Sequence, residues 1–136
     1  MFKLAKAIPI ASQKDDPATY QAAFNAVAKV LRDGDLLAIF PEGGITRDGT
    51  VQPFKGGIMK ILERAKTDGL APPVIPMALT NLWGSFFSRV EEGNAMVRPF
   101  RRGVLSRVGL NVGEPVASAL VTPEMLQAKV NTLLKT

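Results

Sequence analysis

The sequence contains neither cysteine nor histidine. Without cysteine there are no disulfides, no thiolate nucleophile and no cysteine-bound metal. Without histidine the commonest metal ligand and the commonest general base near neutral pH are both missing. The chain alone therefore does not carry Ser-His-Asp hydrolysis, Cys-His chemistry or histidine-bound zinc, and no metal site is expected. Aromatic residues make up only 7%, with one Trp and one Tyr. No aromatic signature of RNA-binding sheets accompanies the basic residues, so nucleic acid is not an expected partner. No apolar run reaches the roughly 18 residues of a membrane-spanning helix. The opening MFKLAKAIPIAS has neither a long apolar stretch nor a signal-cleavage pattern. It reads directly as strand at Ala7, Ile8, Pro9 and Ile10, as though the chain begins inside a larger unit.

What is present fits one globular domain over 1–136, 46% hydrophobic and 21% charged. Seventeen basic residues face twelve acidic ones, for a net charge of +5. Such a balance favours phosphate-bearing partners or anionic membrane surfaces, although a basic surface also serves plain solubility. Arg98, Arg101, Arg102 and Arg107 cluster with Phe100, Val104 and Leu105, a mixture found in nucleic-acid binders and in faces that lie on anionic membranes.

The periodicities predict an α/β fold with a mostly parallel or mixed sheet flanked by helices. Asp16-Pro17 starts a helix whose stripe is Tyr20, Phe24, Val27 and Leu31, and Gly34 closes it. DLLAIF, 35–40, reads as a buried strand. A second helix is expected over about 54–67, with Ile58, Ile61, Leu62 and Ala65 inward. VIPMALT, 74–80, reads as another buried strand, and AMVRPF (95–100) and VLSRVGLNVG (104–113) as two more. Thr122-Pro123 opens a last helix with Met125, Leu126, Val130 and Leu133 on its apolar face.

The chemistry is expected in PEGGITRDGTVQP, 41–53, and the Phe54-Lys55-Gly56-Gly57 that follows. Ligands of open α/β sheets bind beyond the carboxyl ends of strands, and this loop leaves such an end. Gly43 and Gly44 permit close approach of backbone N–H groups to an anion; Arg47 and Lys55 add charge. Glu42 would repel phosphate. It fits if it accepts from a substrate hydroxyl, or if it holds Arg47 or a backbone amide in place. The segment is neither a Walker A loop nor GxGxxG. The plainer alternative is a glycine-rich turn with a surface Glu–Arg pair of little energetic weight.

Phe40-Pro41-Glu42-Gly43-Gly44-Ile45-Thr46-Arg47 resembles the F-P-E-G-T-R block of the glycerolipid acyltransferase family, the enzymes that acylate lysophosphatidic acid and related lysophospholipids. The family's following F-K-x-G is matched by Phe54, Lys55 and Gly57, and its fourth block by Val74-Ile75-Pro76-Met77. The resemblance covers about residues 1–80. The extra residues before Thr46 bring it closest to the 2-acylglycerophosphoethanolamine acyltransferase branch, whose acyltransferase domain is often joined to a transporter-like membrane domain. The resemblance implies a partial glycerol-3-phosphate acyltransferase-like domain that moves an acyl chain from acyl-CoA or acyl carrier protein, without further cofactor. It implies that Glu42, Gly43, Gly44, Thr46, Arg47 and Lys55 hold the acceptor's phosphate and glycerol; Pro76, unusual within a strand, marks either an edge or bulge or a bend that shapes the acyl or thioester pocket. The family's HxxxxD block, which supplies the base, is missing, so no catalytic residue is expected here. The chain reads as the C-terminal part of such a domain, inactive alone.

Three further expectations accompany this reading. Trp83, Phe86 and Phe87, together with Arg98, Arg101 and Arg102, are candidates for membrane contact, or else complete the core. The expected location is cytoplasmic, peripheral on the inner face of the cell membrane. An incomplete sheet exposes an edge, so self-association is expected. The competing functional class is a non-catalytic basic module that binds anionic lipid or a phosphorylated ligand.

Overall fold

A computed structural model describes residues 7–9, 14–44, 46, 49–82 and 107–135. They form a mixed α/β arrangement: α1 (Pro17–Arg32), α2 (Gly57–Thr67), β1 (Met77–Thr80), β2 (Gly109–Val112), a short 3-10 turn (Ser118–Leu120) and α3 (Pro123–Leu134). The chain divides into two compact units, Met1–Ile39 with Lys60–Pro72, and Phe40–Met59 with Pro73–Thr136.

In the first unit α1 starts as its sequence dictates. Asp16 caps it by accepting from the Thr19 N–H at 3.0 Å and the Thr19 hydroxyl at 2.6 Å, and Pro17 occupies the first turn. Gly34, at φ +76°, takes the left-handed conformation that ends the helix. The most buried positions of α1 are Ala23 and Ala28, while Tyr20, Phe24, Val27 and Leu31 are half-buried. The unit is tied by Arg32 to Asp68 at 2.9 Å and by Lys60, whose ammonium donates to the Tyr20 hydroxyl at 2.9 Å. The Tyr20 and Phe24 rings meet in a tilted pair, with centroids 4.8 Å apart and planes at 46°.

The bonds from Thr19, its hydroxyl first and then its N–H, hold the Asp16 carboxyl below its ordinary value of 3.8. A depressed carboxylate stabilises the fold above its unfolded pKa and loses that contribution as pH falls through the folded pKa. The stability advantage of the wild type over Asp16→Ala is therefore expected at pH 7 and shrinks on acidification below 3.8. Urea titrations across that range measure it, and a pH-independent difference would contradict it.

In the second unit β1 and β2 pair antiparallel, with Met77 opposite Val112, Ala78 opposite Asn111, Leu79 opposite Leu110 and Thr80 opposite Gly109. A bridge between Val74 and Val116 extends the pairing. α3 packs on this sheet. Asn111 donates its side-chain amide to the Leu133 carbonyl at 2.7 Å, and a Cβ added at Gly113 would meet Pro76 at 3.0 Å and Leu133 at 3.2 Å. α3 is capped by Thr122, which accepts from the Met125 N–H at 3.2 Å. The core of the unit is Ile58, Ala78, Val116, Val121 and Leu126.

Several sequence expectations are corrected. Among the described residues the sheet is two-stranded and antiparallel, not parallel. Residues 35–40 join no ladder there; Leu36 is 97% exposed and Phe40 76%. A continuous apolar run reports β propensity, but burial requires neighbours on both faces. The strand at 74–80 is likewise one-sided: Ala78 is buried, whereas Met77 and Leu79 are exposed. Pro76 lies just before β1, where its missing N–H breaks no ladder bond and its carbonyl accepts from Gly113 at 2.9 Å. α2 begins at Gly57 rather than 54, because Phe54 and Lys55 belong to the loop's returning arm. The expected strand 95–100 lies outside the described residues. Among those residues, no helix is long and apolar enough to cross a membrane.

Candidate functional site

The loop between the 35–40 segment and α2 is a closed excursion. It opens with a turn in which the Gly43 N–H donates to the Phe40 carbonyl at 3.1 Å; proline after the first turn residue and glycine at the last suit a type I turn. Gly43 sits at φ +65°, a conformation that other residues adopt only with strain. The excursion returns through residues 52–55. Lys55 donates its N–H to the Pro41 carbonyl at 2.8 Å. Glu42 accepts the Gln52 N–H on Oε2 at 2.7 Å. Phe54 donates its N–H to Gln127 Oε1 of α3 at 3.4 Å.

These bonds bring the lysine back over the turn. Lys55 Nζ donates to the Gly43 carbonyl at 3.4 Å. A Cβ on Gly43 would lie 2.8 Å from that nitrogen and 3.0 Å from Lys55 Cδ. The glycine suits the backbone conformation, and any side chain in its place would displace the lysine. Among the described residues a Cβ added at Gly44 would meet nothing within 4 Å, and Lys55 is exposed. Among the described residues no carboxylate forms a salt bridge with Lys55. Thr46 is half-buried; its hydroxyl accepts from the Gly49 N–H at 3.1 Å and from the Gln52 side chain at 3.5 Å. Glu42, Thr46 and Gln52 on one side, and Gly43 and Lys55 on the other, are thus bonded within one excursion of the chain.

Of the residues singled out in the sequence, Glu42, Gly43 and Lys55 are joined in one hydrogen-bonded loop, with Gly44 and Thr46 in the same excursion. Pro76 lies apart from the loop, at the end of the β1–β2 ladder. Arg47 and the membrane candidates Trp83, Phe86, Phe87, Arg98, Arg101 and Arg102 lie outside the described residues. Among the described residues no cluster of acidic side chains is placed to hold a metal. Three contributors to the loop went unnoticed in the sequence: Pro41 through its carbonyl, Gln52 through its amide, and Gln127. Nothing in local spacing points to Gln127, which is 73 residues from its partner Phe54.

A protein-family model described as Acyltransferase matches residues 1–80, more than half of the 136 residues. The matched stretch contains the whole loop, α1, α2 and β1; β2 and α3 follow it. No curated protein and no solved structure matches the chain.

Proposed function

Because this chain belongs to the acyltransferase family, we propose that its loop 41–55 is the acceptor side of an acyl-transfer site. The acceptor is a lysophospholipid or a glycerol phosphate, and the acyl chain comes from acyl-CoA or acyl carrier protein. In the transfer the acceptor hydroxyl oxygen attacks the thioester carbonyl, the C–S bond breaks, an ester C–O bond forms, and the departing thiolate takes up a proton. The observation that carries this reading is the lysine folded over Gly43, an exposed ammonium held by its own loop. Lys55 and Arg47 bind the acceptor's phosphate, Gly43, Gly44 and Thr46 shape the cradle, and Glu42 belongs to the loop that forms it.

Removing the hydroxyl proton needs a positioned base. The chain has no histidine, so the base is supplied by residues other than these, and the chain alone binds acceptor without turnover. The same absence supports a second reading, a module that binds anionic lipid or phosphorylated ligand and transfers nothing. Contact with an anionic membrane surface through Trp83, Phe86, Phe87 and the arginines 98, 101 and 102 fits either reading, as does a peripheral position on the inner face of the cell membrane.

Calorimetric titration with sn-glycerol 3-phosphate tests the acceptor site. Arg47→Ala is expected to weaken binding by about 1–3 kcal/mol, the worth of a hydrogen bond to a charged group. An unchanged affinity would contradict the assignment. Adding a histidine-bearing acyltransferase segment in trans separates the two readings: acyl transfer to the acceptor favours the first, and binding without transfer the second.

A further inference from the structure

The returning arm of the loop donates three backbone N–H groups to acceptors on two segments, the turn at Pro41 and Glu42 and helix α3. Gln52 bonds to the Glu42 carboxylate at 2.7 Å, Phe54 to the Gln127 side chain of α3 at 3.4 Å, and Lys55 to the Pro41 carbonyl at 2.8 Å. The first lies at the short end for an amide donating to an ionised oxygen, and Glu42 is half-buried. An acidic side chain beside an anion cradle is unfavourable if it faces the ligand. Here one of its oxygens faces an amide of the loop's neck. Gln127, uncharged and half-buried, holds the same arm from α3. The two side chains therefore act on Gln52 and Phe54, three residues and one residue before Lys55, whose ammonium must stay over Gly43 for the cradle to exist.

We propose that Glu42 and Gln127 are positioning residues that clamp the arm 52–55, so that Lys55 is held ready over Gly43, and that neither touches the bound anion. The ligand part rests on the acceptor-site reading above; the clamp itself does not. A clamp needs an oxygen acceptor, not a charge. Glu42→Gln keeps a carbonyl oxygen at the same reach, and Gln127→Glu keeps one in α3. Alanine at either position removes the acceptor, while in α3 it preserves helix propensity.

The experiment measures amide hydrogen exchange by NMR on the 136-residue chain and titrates each variant with sn-glycerol 3-phosphate. Glu42→Gln is expected to keep the Gln52 amide slow and the affinity within about twofold of wild type, since the hydrogen bond survives. Glu42→Ala is expected to speed exchange at Gln52, and Gln127→Ala at Phe54, by about tenfold, each with about tenfold weaker binding. Amides of β1 and α3 report whether each variant is folded; should Glu42→Ala unfold, Glu42→Asp, one methylene shorter, takes its place with the same expectation. The proposal is overturned if Glu42→Gln binds as weakly as Glu42→Ala while Gln52 stays protected, because the carboxylate then meets the ligand directly. It is also overturned if the alanine variants leave exchange at 52 and 54 unchanged. A wild-type chain that does not bind glycerol phosphate refutes the acceptor-site reading instead, and the exchange rates still decide the clamp.

Discussion

Replacing Gly43 with valine is expected to abolish measurable binding of sn-glycerol 3-phosphate while leaving the β1–β2–α3 unit folded. Two costs combine. The backbone at φ +65° is strained for a β-branched residue by about 1–3 kcal/mol. The new side chain also occupies the place of the lysine, since even a bare Cβ would stand 2.8 Å from Lys55 Nζ. The lysine is the far end of a flexible chain, so it swings away rather than distorting the core. Its lost contact with the anion adds about 1.5–3 kcal/mol. Gly43→Asn separates the two costs, because asparagine tolerates the left-handed conformation yet still displaces the lysine. Binding by Gly43→Val at wild-type affinity would show that neither the turn nor the lysine matters to the ligand.

Leu126→Ala is expected to give the largest loss of stability, about 2–5 kcal/mol from lost burial and the cavity left behind. Leu126 is only 4% exposed, in the core formed with Val121, Val116 and Ala78. Native domains have about 5–15 kcal/mol in total, so the change is a large share. It also reaches the loop. Gln127 follows Leu126 directly on α3 and holds Phe54, so a loosened α3 releases the returning arm. Denaturant unfolding followed by circular dichroism measures the first effect and amide exchange at Phe54 the second. A loss below about 1 kcal/mol would mean that Leu126 is not a core residue.

Features decided within a few residues were legible in the sequence. Asp16-Pro17 and Thr122-Pro123 begin helices because the capping oxygen and its amide lie three residues apart. Gly34 ends α1 for an equally local reason. The strands at 77–80 and 109–112 fall inside the two stretches read as strand, but their antiparallel pairing depends on residues far apart in the chain. The apolar run 74–80 hid a one-sided strand, because alternation between Ala78 and its large neighbours Met77 and Leu79 is invisible to a pattern that counts all three as apolar. Residues 35–40 show the same limit in stronger form: a continuous apolar run, yet Leu36 and Phe40 lie exposed.

The candidate site divides similarly. Its glycines, lysine and glutamate fall in one stretch whose composition marks a loop, and the structure joins Glu42, Gly43 and Lys55 within that loop by hydrogen bonds. The role of Glu42 was left open between a substrate hydroxyl, Arg47 and a backbone amide; its 2.7 Å bond to Gln52 supplies the amide. The lysine's return onto Gly43 was not legible, because it depends on the path of the intervening chain. Gln127 could not be anticipated at all, since helix periodicity marks it only as a polar position.

The most direct measurement follows backbone amide shifts of the wild-type chain during titration with sn-glycerol 3-phosphate, at low and at high salt. The account predicts saturable shifts concentrated at Gly43, Gly44, Thr46 and Lys55, weakened by salt as expected for an exposed ionic site. Shifts confined to other segments, or none at these four residues at any ligand concentration, would contradict it.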